Sequence, residues 1–386
     1  MNYRKFGKLN WQVSALGFGA MRLPVINNDA SKIDEPEAIN MIRYAIDHGV
    51  NYVDTAYVYH GGTSEAFLSK ALSNGYREKV RLATKMPTWQ VKSQEDMDKR
   101  LEEQLARLKT NIDFYLLHGL DGERWQELQK LDVLSWAEKK IDQGKIKHLG
   151  FSFHDDYDAF RNVINSYDNW TLAQIQYNYA DPDYQAGTRG LKYAASKGIA
   201  VIVMEPIAGG RLAVKPPEQI LNLWNEAKVK RAPAERALLW VWNHPEVSLA
   251  LSGMSTMQQV EENVKTASQS GPNMLAKEEL ALIERVASEY KKLGYVGCTA
   301  CRYCSECPEG VDIPTIIRLY NEYYVKNMSD EVKAKYWEYI TPESQAKRCQ
   351  ACGKCEEVCP QQLPVRQIIS RAKWIFEQEP PPKPKK

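Results

Sequence analysis

Residues 35–56 read "EPEAINMIRYAIDHGVNYVDTA" and contain a helix, a stop and a strand in direct succession. Ala38, Met41, Ile42, Ala45 and Ile46 fall at i, i+3, i+4, i+7 and i+8, one face of a helix, and Gly49 suits the left-handed residue that ends it. The strand candidate that follows is apolar but for Asn51 up to Asp54, where a carboxylate and a threonine close it. Strands that are apolar at nearly every position are buried on both faces, which implies a parallel sheet covered by helices.

The same unit recurs along the chain. Eight strand candidates are "SALGFG" (14–19), "VNYVDT" (50–55), "VRLATK" (80–85), "DFYLLH" (113–118), "IKHLGFS" (146–152), "LAQIQYN" (172–178), "IAVIVME" (199–205) and "VSLALSG" (247–253). Helical patterns lie between them, clearest in "EDMDKRLEEQLARLKTN" (95–111), "SWAEKKIDQG" (135–144) and "PAERALLWVWNH" (233–244). Eight such repeats predict an α/β fold, a (β/α)8 TIM barrel. The alternative is a doubly wound open sheet, but no G-x-G-x-x-G follows the first strand. The expected organisation is a barrel over 1–280, a small cysteine-bearing domain over 281–375 and a disordered tail over 376–386.

Composition narrows the function. A net charge of +2 with mixed signs gives no nucleic-acid footprint, and the basic end of "EQEPPPKPKK" reads as a solvated tail. No run of about 18 apolar residues predicts a membrane span, and "MNYRKFGKLNWQ" lacks the apolar stretch of a signal peptide. A cytoplasmic protein is expected, in which cysteines grouped as C-x-x-C indicate metal or redox chemistry rather than disulfides.

In a barrel of this kind, catalytic groups lie at the C-terminal ends of the strands. Those ends here carry Asp54, Lys85, His118, Ser152, Gln176 and Glu205. Each alone has a structural explanation: a helix cap, a surface lysine, a core histidine. One polar residue at each of six strand ends is harder to explain by packing.

These segments resemble the aldo-keto reductase superfamily. "NYVDTAYVYHGGTSE" (51–65) is similar to its D-T-A-x-x-Y segment, "LATKMP" (82–87) to its third-strand lysine and "DFYLLHGLD" (113–121) to its fourth-strand histidine. "GFSFHD", "IQYNYAD", "MEPIAGGRL" and "LSGMSTMQQVEEN" resemble its later strand ends and its cofactor-phosphate segment. The resemblance implies a catalytic tetrad of Asp54, Tyr59, Lys85 and His118, NADP or NAD as cofactor and a small carbonyl or alcohol substrate. Physical chemistry agrees. A free tyrosine gives up its proton near pH 10, and an adjacent ammonium lowers that value. Tyr59 would therefore be the general acid, Lys85 its activator, Asp54 the lysine's counter-charge and His118 the group that orients the substrate oxygen. Tyr57 is the competing phenol, and family spacing favours Tyr59.

The resemblance also implies cofactor contacts. Ser152 and Gln176 would hold the nicotinamide amide, and Gly19, Met21 and the loop through Met204, Pro206, Gly210 and Leu212 would border the cofactor. Gly253, Ser255, Thr256, Gln259, Glu262 and Asn263 would hold its phosphate and adenosine end. Three features depart from the common pattern. Phe153 stands where many members have asparagine, Met204 where many stack an aromatic ring, and Gly253 and Gln259 where strongly NADP-selective members carry lysine and arginine. Losing two cations makes NADH use an expectation alongside NADPH use.

All eight cysteines fall in "CTACRYCSECP" (298–308) and "CQACGKCEEVCP" (349–360). Paired C-x-x-C motifs also suit zinc. The second run, however, is C-x2-C-x2-C-x3-C-P, the bacterial ferredoxin pattern, in which the fourth cysteine ligates the other cluster. The first run is one residue shorter in its last gap. Ferredoxin-type pairing would place one 4Fe–4S cluster on Cys298, Cys301, Cys304 and Cys359, and a second on Cys349, Cys352, Cys355 and Cys307. Residues 313–340 between the runs read as amphipathic helix. The whole chain resembles those aldo-keto reductases that carry a C-terminal ferredoxin-like domain.

The expected function is a nicotinamide-dependent oxidoreductase whose clusters exchange electrons with a ferredoxin or flavoprotein, or sense redox state. Hydride moves two electrons and clusters move one, and no flavin motif is present to split the pair. The alternative is an electron-transfer or regulatory subunit whose barrel binds cofactor without turnover. Tyr57, His60, Trp89, His154 and Tyr179 are expected around a substrate pocket.

Overall fold

The computed structural model describes residues 1–325 and 328–378. Its strands are β1 (Tyr3–Lys5), β2 (Gln12–Ser14), β3 (Leu16–Gly19), β4 (Tyr52–Asp54), β5 (Arg81–Pro87), β6 (Ile112–Leu120), β7 (Ile146–Phe153), β8 (Leu172–Gln176), β9 (Ala200–Met204) and β10 (Val247–Ser252). Strands β3 to β10 close into a barrel in chain order, with β10 against β3 and every pair parallel. By contacts the chain divides into two units, residues 1–207 with 231–280, and residues 208–230 with 281 onward. Residues 208–230 follow β9 in sequence yet pack with the second unit.

Alternation along the strands builds the barrel interior. Tyr52, Ala83, Phe114, Leu116, Leu172, Ala200, Ile202, Leu249 and Leu251 form one buried cluster. Side chains two apart in a strand share a face. The next positions toward the C-terminal ends are therefore Asp54, Lys85, His118, Gln174, Met204 and Gly253, so the apolar plug gives way to polar groups at one mouth. Gly17 makes room in this interior, because a Cβ there would lie 2.7 Å from Leu249 and 2.8 Å from Leu251.

Ser14, expected to open the first barrel strand, instead belongs to an antiparallel hairpin, pairing with Tyr3. Strands of three residues carry too little alternation to register in sequence. The hairpin delivers Phe6 to the barrel's N-terminal end, where its ring lies 4.9 Å from Phe114 and 5.2 Å from Trp11.

Among the barrel helices, Glu35–Asp47 buries the five residues of the predicted stripe. Asp34 caps it by accepting the Glu37 N–H, and Pro36 sits in its first turn, where a missing N–H costs nothing. The helix Gln94–Leu108 starts at a Ser93 cap and ends at Lys109 in the left-handed region.

The second unit has its own core. Ile313, Ile316, Ile317, Tyr320, Val332, Tyr336, Ile368, Ile369 and Phe376 are buried together, and Tyr336 stacks on Phe376 at 4.7 Å. The expected amphipathic stretch forms two helices, Ile313–Val325 and Asp330–Tyr339. Of the tail expected over 376–386, residues 379–386 lie outside the described residues. Phe376 closes the helix Val365–Phe376 and is buried. Among the described residues, no helix is long and apolar enough to cross a membrane.

Candidate active site and cysteine centre

Strand register assembles the tetrad. Asp54 pairs with Ala83, so Lys85 stands one inward step further along β5, and His118 lies opposite Pro87 on β6. Tyr59 comes from the short turn after β4, Tyr59–Gly62, which bends through left-handed backbone at His60 and Gly61. The Lys85 Nζ donates to Asp54 Oδ1 at 2.5 Å, to the Thr55 carbonyl at 2.7 Å and to the Tyr59 hydroxyl at 3.2 Å. Lys85 is fully buried, and Asp54, Tyr59 and His118 nearly so. The Tyr59 and His118 rings meet edge-on with centroids 6.1 Å apart.

Electrostatics follow from this burial. Desolvation pulls the Lys85 ammonium below its ordinary value, and the contact with Asp54 opposes that pull. Burial, reinforced by the charge on Lys85, holds His118 well below the usual histidine range, so its imidazole is neutral at pH 7. The arrangement is a cation, its counter-ion, a phenol and a neutral imidazole at one barrel mouth.

A carboxylate that sequence reading missed supports it from behind. Glu65 is fully buried and accepts from Thr84 Oγ1 at 2.6 Å, from Gln104 Nε2 at 2.6 Å and from Arg107 at 3.2 Å. Gln104 also donates to the Lys85 carbonyl at 3.1 Å and accepts from the Tyr115 hydroxyl at 2.8 Å. The signal was present only as polar residues on otherwise apolar helix faces, and neither helix by itself shows that they meet.

Of the expected pocket residues, Trp89 packs by His118 at 5.1 Å between centroids. Tyr57 turns away, because its hydroxyl donates to Glu103 and accepts from Arg100 on the helix Gln94–Leu108, with Arg107 over its ring. His60 is engaged structurally, accepting from the Leu23 N–H and pairing with the Ala30 carbonyl. His154 is half-buried, with its pKa pushed down to about 4 by desolvation. Tyr179 is buried edge-on to Trp240.

Of the expected cofactor contacts, Gly19, Gln176 and Met204 end barrel strands and Ser152 lies one residue before the end of β7. Ser152 Oγ accepts the Gly119 N–H at 2.8 Å, which leaves its own proton to donate. Gln176 Oε1 is buried and has no hydrogen-bond partner among the described residues, which fits a ligand amide. Gly19 lies against the Ser252 carbonyl, Met21 follows β3, and Met204 accepts from Gln174 through sulfur at 3.5 Å. Pro206 follows Glu205, which has φ of 54°. Gly210 and Leu212 fall in the segment that packs with the second unit, where Leu212 is buried. Thr256 caps the helix Met257–Ser268, Gln259 Oε1 accepts the Ser255 N–H at 2.8 Å, and Asn263 donates to Ser252 Oγ at 3.1 Å. Glu262 accepts from Gln258.

In the second unit the two cysteine runs share one backbone design. Ala300 and Arg302 in the first, and Ala351 and Gly353 in the second, all have positive φ at matching positions around the second cysteine. The turns direct the thiols into two cavities. One is lined by Cys298, Cys301, Cys304 and Cys359, and the other by Cys307, Cys349, Cys352 and Cys355 with Cys304 at its edge. Each cavity thus takes a cysteine from the other run. Burial and neighbouring thiols push Cys304 up to about 12, and burial with the charge of Glu356 pushes Cys355 up to about 11, so an incoming metal must displace their protons. The N–H of Ala351 points at the Cys349 sulfur, 3.4 Å away. Among the described residues, no three such side chains converge closely enough for a single ion.

Comparison with known proteins agrees with both halves. The model of the Aldo/keto reductase family matches residues 15–287, and that of a 4Fe-4S dicluster domain matches residues 297–363. An L-galactose dehydrogenase from Arabidopsis thaliana is 26% identical over 313 residues, covering 75% of this chain and 95% of its own. A probable aldo-keto reductase from Glycine max is 26% identical over 295 residues, 67% of this chain and 82% of its own. Among solved structures, the holo form of an aldo-keto reductase from Bacillus halodurans superposes with a TM-score of 0.61 at 28% identity, covering 74% of this chain and 96% of that one. An aldo-keto reductase from Klebsiella pneumoniae in complex with NADPH gives 0.58 at 26% identity, with the same coverage.

Proposed function

The chain belongs to the aldo/keto reductase family, and from that premise we propose that it interconverts an aldehyde or ketone with its alcohol, using NADPH or NADH. The observation that carries this reading is the buried Lys85 ammonium, 2.5 Å from Asp54 and 3.2 Å from the Tyr59 oxygen. A barrel that only bound a nucleotide would have no use for that arrangement. The family cofactor, when bound, supplies a hydride. Gln176 and Ser152 orient its amide, through a buried acceptor and a free hydroxyl proton. Tyr59 gives its proton to the oxygen of the reduced carbonyl, and Lys85, donating to the same phenolic oxygen, stabilises the phenolate left behind. Asp54 keeps the ammonium charged in a buried site. Neutral His118 donates a hydrogen bond to the substrate oxygen and leaves no competing cation there.

The reading extends to two 4Fe–4S clusters, one on Cys298, Cys301, Cys304 and Cys359 and one on Cys307, Cys349, Cys352 and Cys355. The crossed cavities and the dicluster match support it. Their electrons would pass singly to a ferredoxin or a flavoprotein, which can collect the pair.

The test is anaerobic purification with iron and sulfide analysis, followed by a screen of NADPH and NADH oxidation against aldehydes and ketones. Iron and sulfide in equal amounts with carbonyl-dependent oxidation are expected. Stoichiometric zinc with little iron would overturn the cluster assignment, and no turnover with any carbonyl would overturn the reductase.

A further inference from the structure

Barrel closure sets the first barrel strand beside the last, pairing Gly17 with Leu251 and Phe18 with Ser252. The chain leaving β3 therefore runs along the turn that leaves β10. Ser255 Oγ donates to the Arg22 carbonyl at 2.6 Å. A Cβ placed on Gly253 would lie 3.1 Å from Cγ, 3.2 Å from Cβ and 3.3 Å from Cδ of Arg22. Gly253 does not have the positive φ that favours glycine, so the conformation does not require it. What requires it is the aliphatic stem of Arg22, lying over the bare backbone.

The charge balance of the turn gives this stem a purpose. Residues 253–263, "GMSTMQQVEEN", hold two glutamates and no lysine or arginine. The Gln259 oxygen accepts the Ser255 N–H, which ties this side chain to the turn, and its amide carries no charge to offset an anion. A dianion at this turn would meet Glu261 and Glu262 with only the N-terminus of the helix Met257–Ser268 in its favour. Arg22, whose stem crosses Gly253, brings a cation to this turn. A side chain at 253 would crowd the Arg22 stem, which would have to shift by a few tenths of an ångström.

We propose that Arg22 binds the 2′-phosphate of NADP, and that Gly253 is the space that lets it do so. The inference rests on the nicotinamide-dependent reading above and names the residue that chooses between its two cofactors. A guanidinium presents paired N–H donors to phosphate oxygens, and it supplies from the β3 side the charge that the β10 side lacks.

The test is direct titration of the full-length protein with NADPH and with NADH, followed by quenching of tryptophan fluorescence, so no turnover is needed. Arg22→Gln is expected to weaken NADPH binding about tenfold or more while leaving NADH within about twofold, and Arg22→Lys to recover most of the loss. Gly253→Ala, which pushes the stem aside without touching the charge, should reproduce a weaker form of the same selective loss. Equal weakening of both cofactors by Arg22→Gln, or no weakening of either, overturns the proposal and leaves the reductase reading standing. A wild-type protein that binds NADH but not NADPH also overturns it alone. A protein that binds neither removes both.

Discussion

Glu65 accepts a 2.6 Å hydrogen bond from Thr84, the residue immediately before Lys85, and both are fully buried in the barrel wall. Gln104 joins them and reaches the Lys85 carbonyl. The strand that presents the ammonium is thus tied to two helices by one carboxylate. Burial drives the Glu65 carboxyl above its ordinary value, against three hydrogen-bonded partners and the charge of Arg107. Glu65→Gln removes the counter-charge of Arg107 and sets an amide donor among donors. It should cost about 2–4 kcal/mol of unfolding free energy in urea titration. Glu35→Gln, at the exposed pair with Lys70, should cost less than about 1 kcal/mol. Equal costs would mean that the buried network contributes no more than a surface pair.

Acid should destabilise the barrel through its desolvated histidines as well as through its carboxylates. His154 is held at about 4, below its ordinary 6.5, by burial. Between those values the unfolded state binds the proton and the folded state does not, so stability rises with pH. Its contribution is complete above about pH 6.5 and is lost as pH falls toward about 4. Each such histidine gives a slope of up to about 1.4 kcal/mol per pH unit, and His118 acts in the same direction. Urea midpoints measured at steps from pH 7 to pH 5 should fall. His154→Gln should flatten the slope, and an unchanged slope would count against the burial argument.

Crossed ligation makes a prediction that either run considered alone does not. Cys298 and Cys359 line one cavity, while Cys349 lines the other. The double variant Cys298→Ser with Cys359→Ser should keep roughly half of the iron, because both losses fall on one cluster. Cys298→Ser with Cys349→Ser should lose most of it. Similar iron in the two variants would contradict the pairing, and iron analysis after anaerobic purification decides between them.

Much of the barrel could be read from sequence because two-sided burial writes itself as apolar runs, and "VRLATK" or "IAVIVME" leaves little choice. The strand-end groups were legible for the same reason, since Asp54, Lys85 and His118 each interrupt such a run. The Tyr57 and Tyr59 pair was not decided by pattern. What separates them is the Arg100 and Glu103 partners of Tyr57, which lie some forty residues away on another helix. The approach of Arg22 to Gly253 was invisible because the two meet only through closure of the barrel. The segment 208–230 gave no sign that it packs with the cysteine unit, because packing partners of a loop leave no period in its sequence. The cysteines showed their chemistry through spacing, since ligation constrains local sequence, and their crossing follows from folding the two runs together.

The central claim is that Tyr59 is the proton donor of a reductase. Tyr59→Phe removes one oxygen and leaves Lys85 its bonds to Asp54 and to the Thr55 carbonyl, so the fold and the ammonium remain supported. The decisive measurement is the single-turnover rate of carbonyl reduction by wild type and Tyr59→Phe, each preloaded with saturating NADPH or NADH. The account predicts a fall of about 100-fold or more in that rate, with cofactor affinity within about twofold of wild type. An unchanged rate would contradict it.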